Sequence, residues 1–443
     1  MAARSKFVAM PVLLILLFFP LLHAAENPVL IFLDVVPKPY SKHALSYPIN
    51  PKETKETFMR GIELLMENYD DKERRSDQKH YLSFPTYQTK VSIRSNSDIH
   101  RLIHGNKNSS MNEEQKSFTA IVDIRSPFIW MQGATSLNMT SDYPPNSSCQ
   151  PSDFPKSSGT SQVADFIFPP SVSNIKFAYD EEKRVDGSDG FFGVFGLSNN
   201  SCSLLKQLGY SNFSYCFAPS GSESSAILLG SDFTFRKNFE HQPALLVQNY
   251  QFPSSYSVSL IGISVGPTEV PVTALPFHEN GPITMIVDSV TPITLLKREV
   301  YESIKKEFLS QMNEMYTGNV TSSSLGLDLC FNNAPYWPQL SFKFSPASIM
   351  FLSTENYVVK DLTTGMECLA ILPSQDASVM GTLIQQNHIM TFDVDKSTVS
   401  FEQANCGDLS VSSATDAMVP CGIKMIHHLS FIAALFAVMV SLG

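Results

Sequence analysis

One short pattern occurs twice in this 443-residue chain, once in each half. In the first copy an apolar stretch leads into Asp123, and after three loop residues the chain continues with Pro127. The second copy has the same frame around Asp288 and Pro292. A short apolar run that ends in an aspartate predicts a buried strand with a carboxylate at its end. The repeat therefore predicts two similar lobes, each of which presents one strand-end carboxylate.

The residues from Tyr81 onward have the character of an all-β protein. Short segments rich in Val, Ile, Phe and Thr alternate with loops of Ser, Asn, Gly and Pro, and the best helical candidates are residues 203–208 and 297–315. Hydrophobic residues make up 43% of the chain, which is enough to bury a large core and argues against disorder as the main state. This pattern favours a sandwich or barrel over a doubly wound sheet.

Paired aspartates carry a specific chemistry when two lobes bring them together. Carboxylates about 3 Å apart share a proton, because both cannot ionise easily. One form of the pair acts as a base that activates water, and the other acts as an acid toward the leaving amide nitrogen. A single aspartate at a strand end is commonly a turn or capping residue. Two of them in one repeated frame favour Asp123 and Asp288 as a catalytic dyad for peptide hydrolysis.

Charge and motif content argue against several other functions. The formal net charge is −10 and no basic stripe is present, which argues against a nucleic-acid-binding surface. The chain has no CxxC pair, and no HExxH, GxSxG nucleophile elbow or phosphate-cradling loop stands out, so zinc, redox and serine-hydrolase chemistry have little support. We therefore expect no metal ion and no cofactor.

The N-terminus has the form of a secretory signal peptide, which we assign to residues 1–25. Two basic residues precede an apolar run over residues 8–22, and Ala24 and Ala25 follow it. The alternative, a membrane-spanning helix, needs about 20 apolar residues and suits this stretch poorly. The sequence thus predicts entry into the secretory pathway and a location outside the cell or at its surface.

Secretion changes how the seven cysteines are interpreted, because disulfides are the default state in an oxidising compartment. Cys330 could pair with Cys368, and Cys216 could pair with Cys406 over a long range. Sequence alone does not decide the pairing of the remaining three. These are Cys149, Cys202 and Cys421.

Six Asn-x-Ser/Thr sequons are present, and in a secreted chain several of them are expected to carry glycans on surface loops. They begin at Asn108, Asn138, Asn146, Asn199, Asn212 and Asn319.

The tail, residues 408–443, resembles a signal for glycosylphosphatidylinositol (GPI) attachment. Residues 429–442 are almost wholly apolar, and a mixed spacer separates them from small residues at positions 412–414. Asp416 or Ala417 is an alternative attachment point, since the spacer from Ser413 is slightly long. Another interpretation is an apolar tail that anchors or packs without lipid exchange.

The segment between signal peptide and β region, residues 26–80, differs from the rest of the chain. Apolar residues at helical spacing within positions 51–75 are followed by the charged run DDKERR. This arrangement suits a removable pro-segment, and it also suits a permanent N-terminal extension. The two lobes are then predicted at residues 81–215 and 216–407.

Several motifs together resemble the plant nepenthesin-like family of pepsin-type aspartic proteases over most of residues 28–406. They are the FTAIVDIRSPFIWMQ and IVDSVTPITLLKREVYESIKKEF segments around the two aspartates, the central FGVFGLSNNSCSLLKQLGYSNFSYCF, and the closing MGTLIQQNHIMTFDVD. The resemblance implies an all-β, bilobal, pepsin-like fold with a cleft between two similar lobes. It also implies a peptide or protein substrate in that cleft, and we expect a monomer.

The resemblance assigns roles to five residues. Asp123 and Asp288 occupy the catalytic positions. Ser126 and Thr291 match the residues whose hydroxyls bond the outer carboxylate oxygens. Ser289 matches the position at which a hydroxyl ties the loop of one lobe to the other.

Three residues depart from the family pattern. Arg125 and Val290 replace the loop glycines, at points where the backbone passes close to the carboxylates. An arginine there can pair with a carboxylate and block proton sharing, and a valine would crowd the site. Ile124 replaces a threonine and removes one hydrogen bond between the lobes. The family's flap tyrosine has no counterpart between Cys149 and Phe168.

The sequence therefore predicts an acid endopeptidase of weak activity. The alternative is a pseudo-protease that keeps the cleft and binds a peptide, protein or glycan without cutting it.

Overall fold

The structure is a computed structural model. It describes residues 31–39, 85–95, 116–132, 148–153, 160–167, 172–180, 191–219, 225–230, 242–272, 283–313, 327–332, 334, 336–361, 364–375 and 377–408. The predicted signal peptide, the C-terminal tail after residue 408, most of the predicted pro-segment and four of the sequons lie outside these residues. Those sequons are Asn108, Asn138, Asn146 and Asn319.

Strands dominate the described residues, as the alternating pattern predicts. The strands are β1 (Ile31–Pro39), β2 (Pro85–Ser95), β3 (Lys116–Asp123), β4 (Trp130–Gln132), β5 (Thr160–Ile167), β6 (Val172–Asp180), β7 (Phe191–Gly196), β8 (Asn212–Cys216), β9 (Ser225–Leu229), β10 (Ala244–Leu245), β11 (Ser257–Val265), β12 (Thr268–Pro271), β13 (Ile283–Val287), β14 (Thr294–Lys297), β15 (Cys330–Phe331), β16 (Leu340–Phe344), β17 (Ser348–Leu352), β18 (Val358–Lys360), β19 (Glu367–Leu369), β20 (Ile371–Ser374), β21 (Ser378–Met380), β22 (His388–Asp393) and β23 (Thr398–Gln403). The α-helices in this part of the chain are α1 (Leu204–Gln207), α2 (Arg298–Asn313) and α3 (Thr382–Gln385).

A 12-stranded sheet joins the two halves of the chain. Its order is β10-β23-β22-β8-β9-β1-β2-β3-β7-β4-β6-β5, so β22, near the end of the described residues, lies beside β8 from the N-terminal half. The predicted boundary between residues 215 and 216 falls inside β8, which pairs with β22 and with β9. The middle of this sheet therefore belongs to both lobes.

The C-terminal half forms a second sheet of eight strands, in which β17-β16-β11-β13-β21-β14-β20 are consecutive and β12 pairs with β11. A small sheet of β15, β19 and β18 lies beside it. Helix α2 packs against this lobe through its apolar face, which includes the buried Val300, Ile304 and Phe308. These buried apolar residues recur every four positions, which is typical of a helix with one face on a core.

The repeated aspartate pattern corresponds to a repeated arrangement of strands. Strand β3, which ends at Asp123, runs parallel to β7, and β7 is antiparallel to β4. Strand β13, which precedes Asp288, runs parallel to β21, and β21 is antiparallel to β14. Each aspartate thus leaves a buried parallel strand and enters a loop that returns beside the same partner.

Three disulfides close the fold, and two of them are the pairs that the sequence suggested. Cys216 pairs with Cys406 and Cys330 pairs with Cys368. The pair that sequence left open is Cys149 with Cys202. All six cysteines are buried.

The described sequons differ in exposure. Asn199 is exposed, whereas Asn212 is half-buried at the start of β8. No helix among the described residues has the length and apolar character required to cross a membrane.

Candidate active site

The two predicted catalytic aspartates lie at the ends of equivalent buried strands. Asp123 is the last residue of β3 and Asp288 follows β13 directly. Both are almost completely shielded from solvent, with exposed fractions of 2% and 0%. Buried carboxylates require charged or hydrogen-bonding partners, because desolvation of an isolated ion is costly.

Arg125 supplies a charged partner to both aspartates. Its Nη2 atom lies 3.2 Å from Asp288 Oδ2, and its Nε atom lies 3.8 Å from Asp123 Oδ1. One guanidinium therefore lies against a carboxylate from each lobe, which shows that the structure brings the two strand ends to one place. The arginine side chain is itself mostly buried, with 13% of its area exposed.

The Asp288 carboxylate is held by its own loop. The backbone N–H groups of Val290 and Thr291 donate to Oδ1, at 2.8 and 3.3 Å. The Thr291 hydroxyl donates to Oδ2 at 2.5 Å. Thr291 thus makes the contact that the family resemblance implied, and Asp288 accepts charge-assisted hydrogen bonds that fix both of its oxygens.

Ser126 differs from that expectation. Its hydroxyl donates to the carbonyl of Phe128 at 2.9 Å instead of to Asp123. The Asp123 Oδ1 atom accepts from the backbone N–H of Arg125 at 2.9 Å. The two loops are therefore alike in backbone path and different in side-chain support, because the Phe128 carbonyl lies within reach of the serine hydroxyl.

Ser289 connects the two loops across the lobes. Its hydroxyl donates to the carbonyl of Val122 at 2.9 Å and accepts from the N–H of Ile124 at 3.0 Å. Ile124 is completely buried and its apolar side chain cannot make the equivalent pair of bonds in the other direction. The connection between the loops is one-sided, in agreement with the effect expected from the isoleucine.

Val290 is buried with 1% of its area exposed. Among the described residues, the non-glycine positions with positive φ are Asn387 and Ser397, so the valine has an ordinary backbone conformation. The loop therefore accepts a side chain at this position without left-handed strain.

The sequence analysis missed a second repeated pattern, which consists of two glycines beside the aspartate loops. A Cβ on Gly196 would lie 2.3 Å from the Ser126 carbonyl oxygen, and one on Gly381 would lie 2.5 Å from the Ile293 carbonyl carbon. Only glycine allows the backbone such a close approach. Both glycines follow an apolar pair, Val194-Phe195 and Val379-Met380, and this repeated apolar-apolar-Gly pattern could have revealed them.

A buried pair, Gln385 and Tyr215, also escaped the sequence analysis. The Gln385 side-chain amide donates to the carbonyl of Asp288 at 2.7 Å, and the Tyr215 hydroxyl donates to Gln385 Oε1 at 2.5 Å. Burial raises the pKa of the Tyr215 hydroxyl well above its ordinary value, and the negative charge of Asp288 raises it further. Tyr215 is therefore a neutral hydrogen-bond donor.

The arrangement offers no evident metal centre in the part of the chain that the structure describes. The one cluster there with suitable spacing comprises Cys149, Asp153 and Cys202. Its two sulfur atoms are joined in a disulfide and are not available as thiolate ligands.

Comparison with known proteins agrees with these features. Residues 255–403 match the family described as xylanase inhibitor C-terminal. Aspartic proteinase nepenthesin-1 of Nepenthes gracilis is 33% identical over 248 residues, which cover 54% of this chain and 55% of that protein. Aspartic proteinase PCS1 of Arabidopsis thaliana is 27% identical over 286 residues, or 57% and 63% of the two chains. The chain thus spans little more than half the length of the curated relatives it matches.

Solved structures show the same fold at low sequence identity. The crystal structure of basic 7S globulin from soybean has a TM-score of 0.57 and 16% identity, and the match covers 86% of this chain and 99% of that one. Conglutin gamma from lupine seeds gives a TM-score of 0.54 at 14% identity, with 88% and 97% covered.

The all-β fold with paired strand-end aspartates is a fold of the pepsin-like class. Both loop glycines of that class are replaced in this chain, and its N-terminal half departs furthest from the pattern. The chain is similar to the plant nepenthesin-type aspartic proteinases over 54% of its length.

Proposed function

We propose that this protein is a pepsin-like aspartic endopeptidase that hydrolyses peptide bonds with water activated by Asp123 and Asp288, and that its turnover is weak. The observation that carries the proposal is the convergence of the two buried carboxylates on a single guanidinium. A substrate peptide would lie in the cleft between the lobes, and the protein would act as a monomer.

The same guanidinium accounts for weak turnover. An acid protease dyad works with one shared proton, so that one carboxylate accepts a proton from water and the other donates to the leaving nitrogen. A cation in contact with both carboxylates favours their ionised forms and opposes proton sharing. Arg125 also lies beside the carboxylate oxygens that a nucleophilic water has to contact.

A second candidate function is a binding module that holds a peptide without cutting it. Two observations favour it, namely the Arg125 ion pairs and the Ser126 hydroxyl that bonds to Phe128 instead of Asp123. In this case the cleft persists and the dyad acts only as a buried charge cluster.

Cleavage of a denatured protein at acid pH decides between these functions. The full chain is compared with Asp288→Ala, and Asp328→Ala provides a matched control because Asp328 pairs with Lys305 outside the site. Cleavage that is lost in Asp288→Ala and kept in Asp328→Ala establishes the endopeptidase. Absence of cleavage in the wild type, with peptide binding to the cleft, supports the binding module.

We also propose that the protein enters the secretory pathway, carries N-glycans, and reaches the cell surface through a GPI anchor. The cysteine pairing supports this location. Six of the seven cysteines form disulfides, and Cys421 lies downstream of all the candidate attachment points between residues 412 and 417. Exchange of the tail for lipid would therefore leave a mature chain with no unpaired thiol.

A thiol titration of the mature protein tests the anchor. Protein released from expressing cells by a phosphatidylinositol-specific phospholipase is denatured and allowed to react with a thiol reagent. The expected result is release by the enzyme and less than one thiol per chain. Retention of the tail and of a reactive Cys421 would contradict the proposal.

A further inference from the structure

The main chain at Asp288 is anchored by Gln385, a residue that is distant in sequence. This glutamine lies at the end of α3, is completely buried, and is 97 residues from Asp288 in sequence. Its Nε2 atom lies 2.7 Å from the Asp288 carbonyl oxygen, 2.9 Å from that of Met380 and 3.1 Å from that of Gly381. The anchored carbonyl belongs to the dyad residue itself.

The orientation of the Gln385 amide follows from its surroundings. Three carbonyl oxygens can only accept hydrogen bonds, so the NH₂ group faces them. The amide oxygen then faces the Tyr215 hydroxyl, which donates to it at 2.5 Å. Tyr215 comes from β8, in the sheet shared by both lobes, and is completely buried. A chain of hydrogen bonds therefore runs from the shared sheet to the backbone of a dyad residue.

The neighbouring glutamine makes different contacts. The Gln386 side chain donates to the Tyr87 hydroxyl at 3.1 Å, and Tyr87 donates to the carbonyl of Ala218 at 2.9 Å. No hydrogen bond in the described part of the structure joins the Gln386 side chain to the Asp288 loop. Both adjacent glutamines are buried, but only the Gln385 side chain contacts the dyad backbone, and it also makes more hydrogen bonds than the Gln386 side chain.

We infer that Gln385, oriented by Tyr215, is a positioning residue that fixes the Asp288 loop for the reaction. The inference rests on the proposed peptidase function and adds to it a residue that does not touch substrate. Hydrogen bonds from the backbone amides of Val290 and Thr291 position the Asp288 carboxylate. The hydrogen bond from Gln385 to the Asp288 carbonyl in turn positions the loop that carries these amides. Small misplacements of a catalytic group cost large factors in rate, about 100-fold for an error of 1 Å.

The test compares Gln385→Leu with Gln386→Leu, which removes the neighbouring buried amide without touching the Asp288 loop. Both variants are expected to lose stability. Only Gln385→Leu is expected to lower kcat, by about 10- to 100-fold, with little change in KM. Gln385→Glu is expected to recover activity as the pH falls, because a carboxyl group donates a hydrogen bond only when protonated.

Amide hydrogen exchange gives a readout that does not depend on catalysis. Loss of the anchor is expected to speed exchange of the Val290 and Thr291 N–H groups by about tenfold in Gln385→Leu relative to Gln386→Leu, as for loss of one hydrogen bond. Equal exchange in the two variants, or an equal loss of kcat, overturns the inference. If neither wild type nor Arg125→Gly has turnover, the proposed function fails and exchange alone decides the role of Gln385. If Gln385→Leu does not fold, Gln385→Glu at acid pH replaces it.

Discussion

Replacement of Arg125 by glycine is expected to convert a nearly silent dyad into a working one. At an effective dielectric constant of about 20, unit charges at the 3.2 and 3.8 Å separations of the guanidinium from Asp288 and Asp123 attract by about 5 and 4 kcal/mol. Removal of the guanidinium from water offsets part of this attraction. Disruption of a buried ion pair of this kind costs about 3–5 kcal/mol.

That cost adds to the activation barrier if the arginine has to leave before water can contact both carboxylates. A barrier change of about 3–5 kcal/mol corresponds to a rate factor of about 10² to 10⁴. Arg125→Gly is therefore expected to raise kcat/KM by a factor in this range. The assay is hydrolysis of a denatured protein at about pH 4, where a dyad of this type shares its proton.

Two control variants make the result interpretable. Arg125→Lys retains a cation on a flexible stem and is expected to gain much less, since a point charge does not reproduce the paired contacts of a guanidinium. Arg125→Gly combined with Asp288→Ala is expected to be inert. An Arg125→Gly protein that is folded, with its disulfides intact, and is no faster than wild type would refute the role given to the guanidinium. If Val290→Gly added to it also gives no gain, the glycine argument as a whole is wrong.

Two further predictions concern stability. Ser289→Ala leaves the Ile124 N–H and the Val122 carbonyl without their buried partner, and we expect a loss of about 1–3 kcal/mol in the free energy of unfolding by urea. Ser289→Thr keeps the hydroxyl and serves as the control. An equal loss of stability in Ser289→Thr would mean that packing causes the effect. Burial lowers the pKa of His388 in the folded chain, so the unfolded chain binds the proton first and stability falls as the pH drops below about 6.5. His388→Gln is expected to flatten this part of the pH dependence of Tm between pH 7 and 5, and an unchanged slope would assign the acid loss to other groups.

Part of the side-chain chemistry at the aspartate loops could be predicted from sequence through the family resemblance. Thr291 and Ser289 make the contacts that the resemblance implied, and Arg125 pairs with carboxylates as its charge suggested. The hydroxyl of Ser126 could not be predicted, since its orientation depends on where the Phe128 carbonyl lies in the folded loop. The catalytic role of the aspartates stays a prediction.

Contacts between distant segments were the main part that sequence did not reveal. Gln385 reaches Asp288 only because β13 and β21 pair in parallel, which places the start of α3 beside the aspartate loop. Periodicity identifies strands and their buried positions, but it does not identify which strands are neighbours. The Cys149–Cys202 pair was likewise left open, since several pairings were consistent with the order of the cysteines along the chain.

Strand β1 has a consequence for how this protein could mature. Its first half pairs with β9 over Ile31–Val35 and its second half pairs with β2 over Val35–Pro39, so it joins these two strands within the shared sheet. Excision of the chain before residue 80 would expose backbone hydrogen-bonding groups on β9 and β2. If the predicted pro-segment is cleaved, nicking and departure of the N-terminal peptide would therefore be separate events, and a nicked protein would keep the peptide as a non-covalent subunit until another strand took its place.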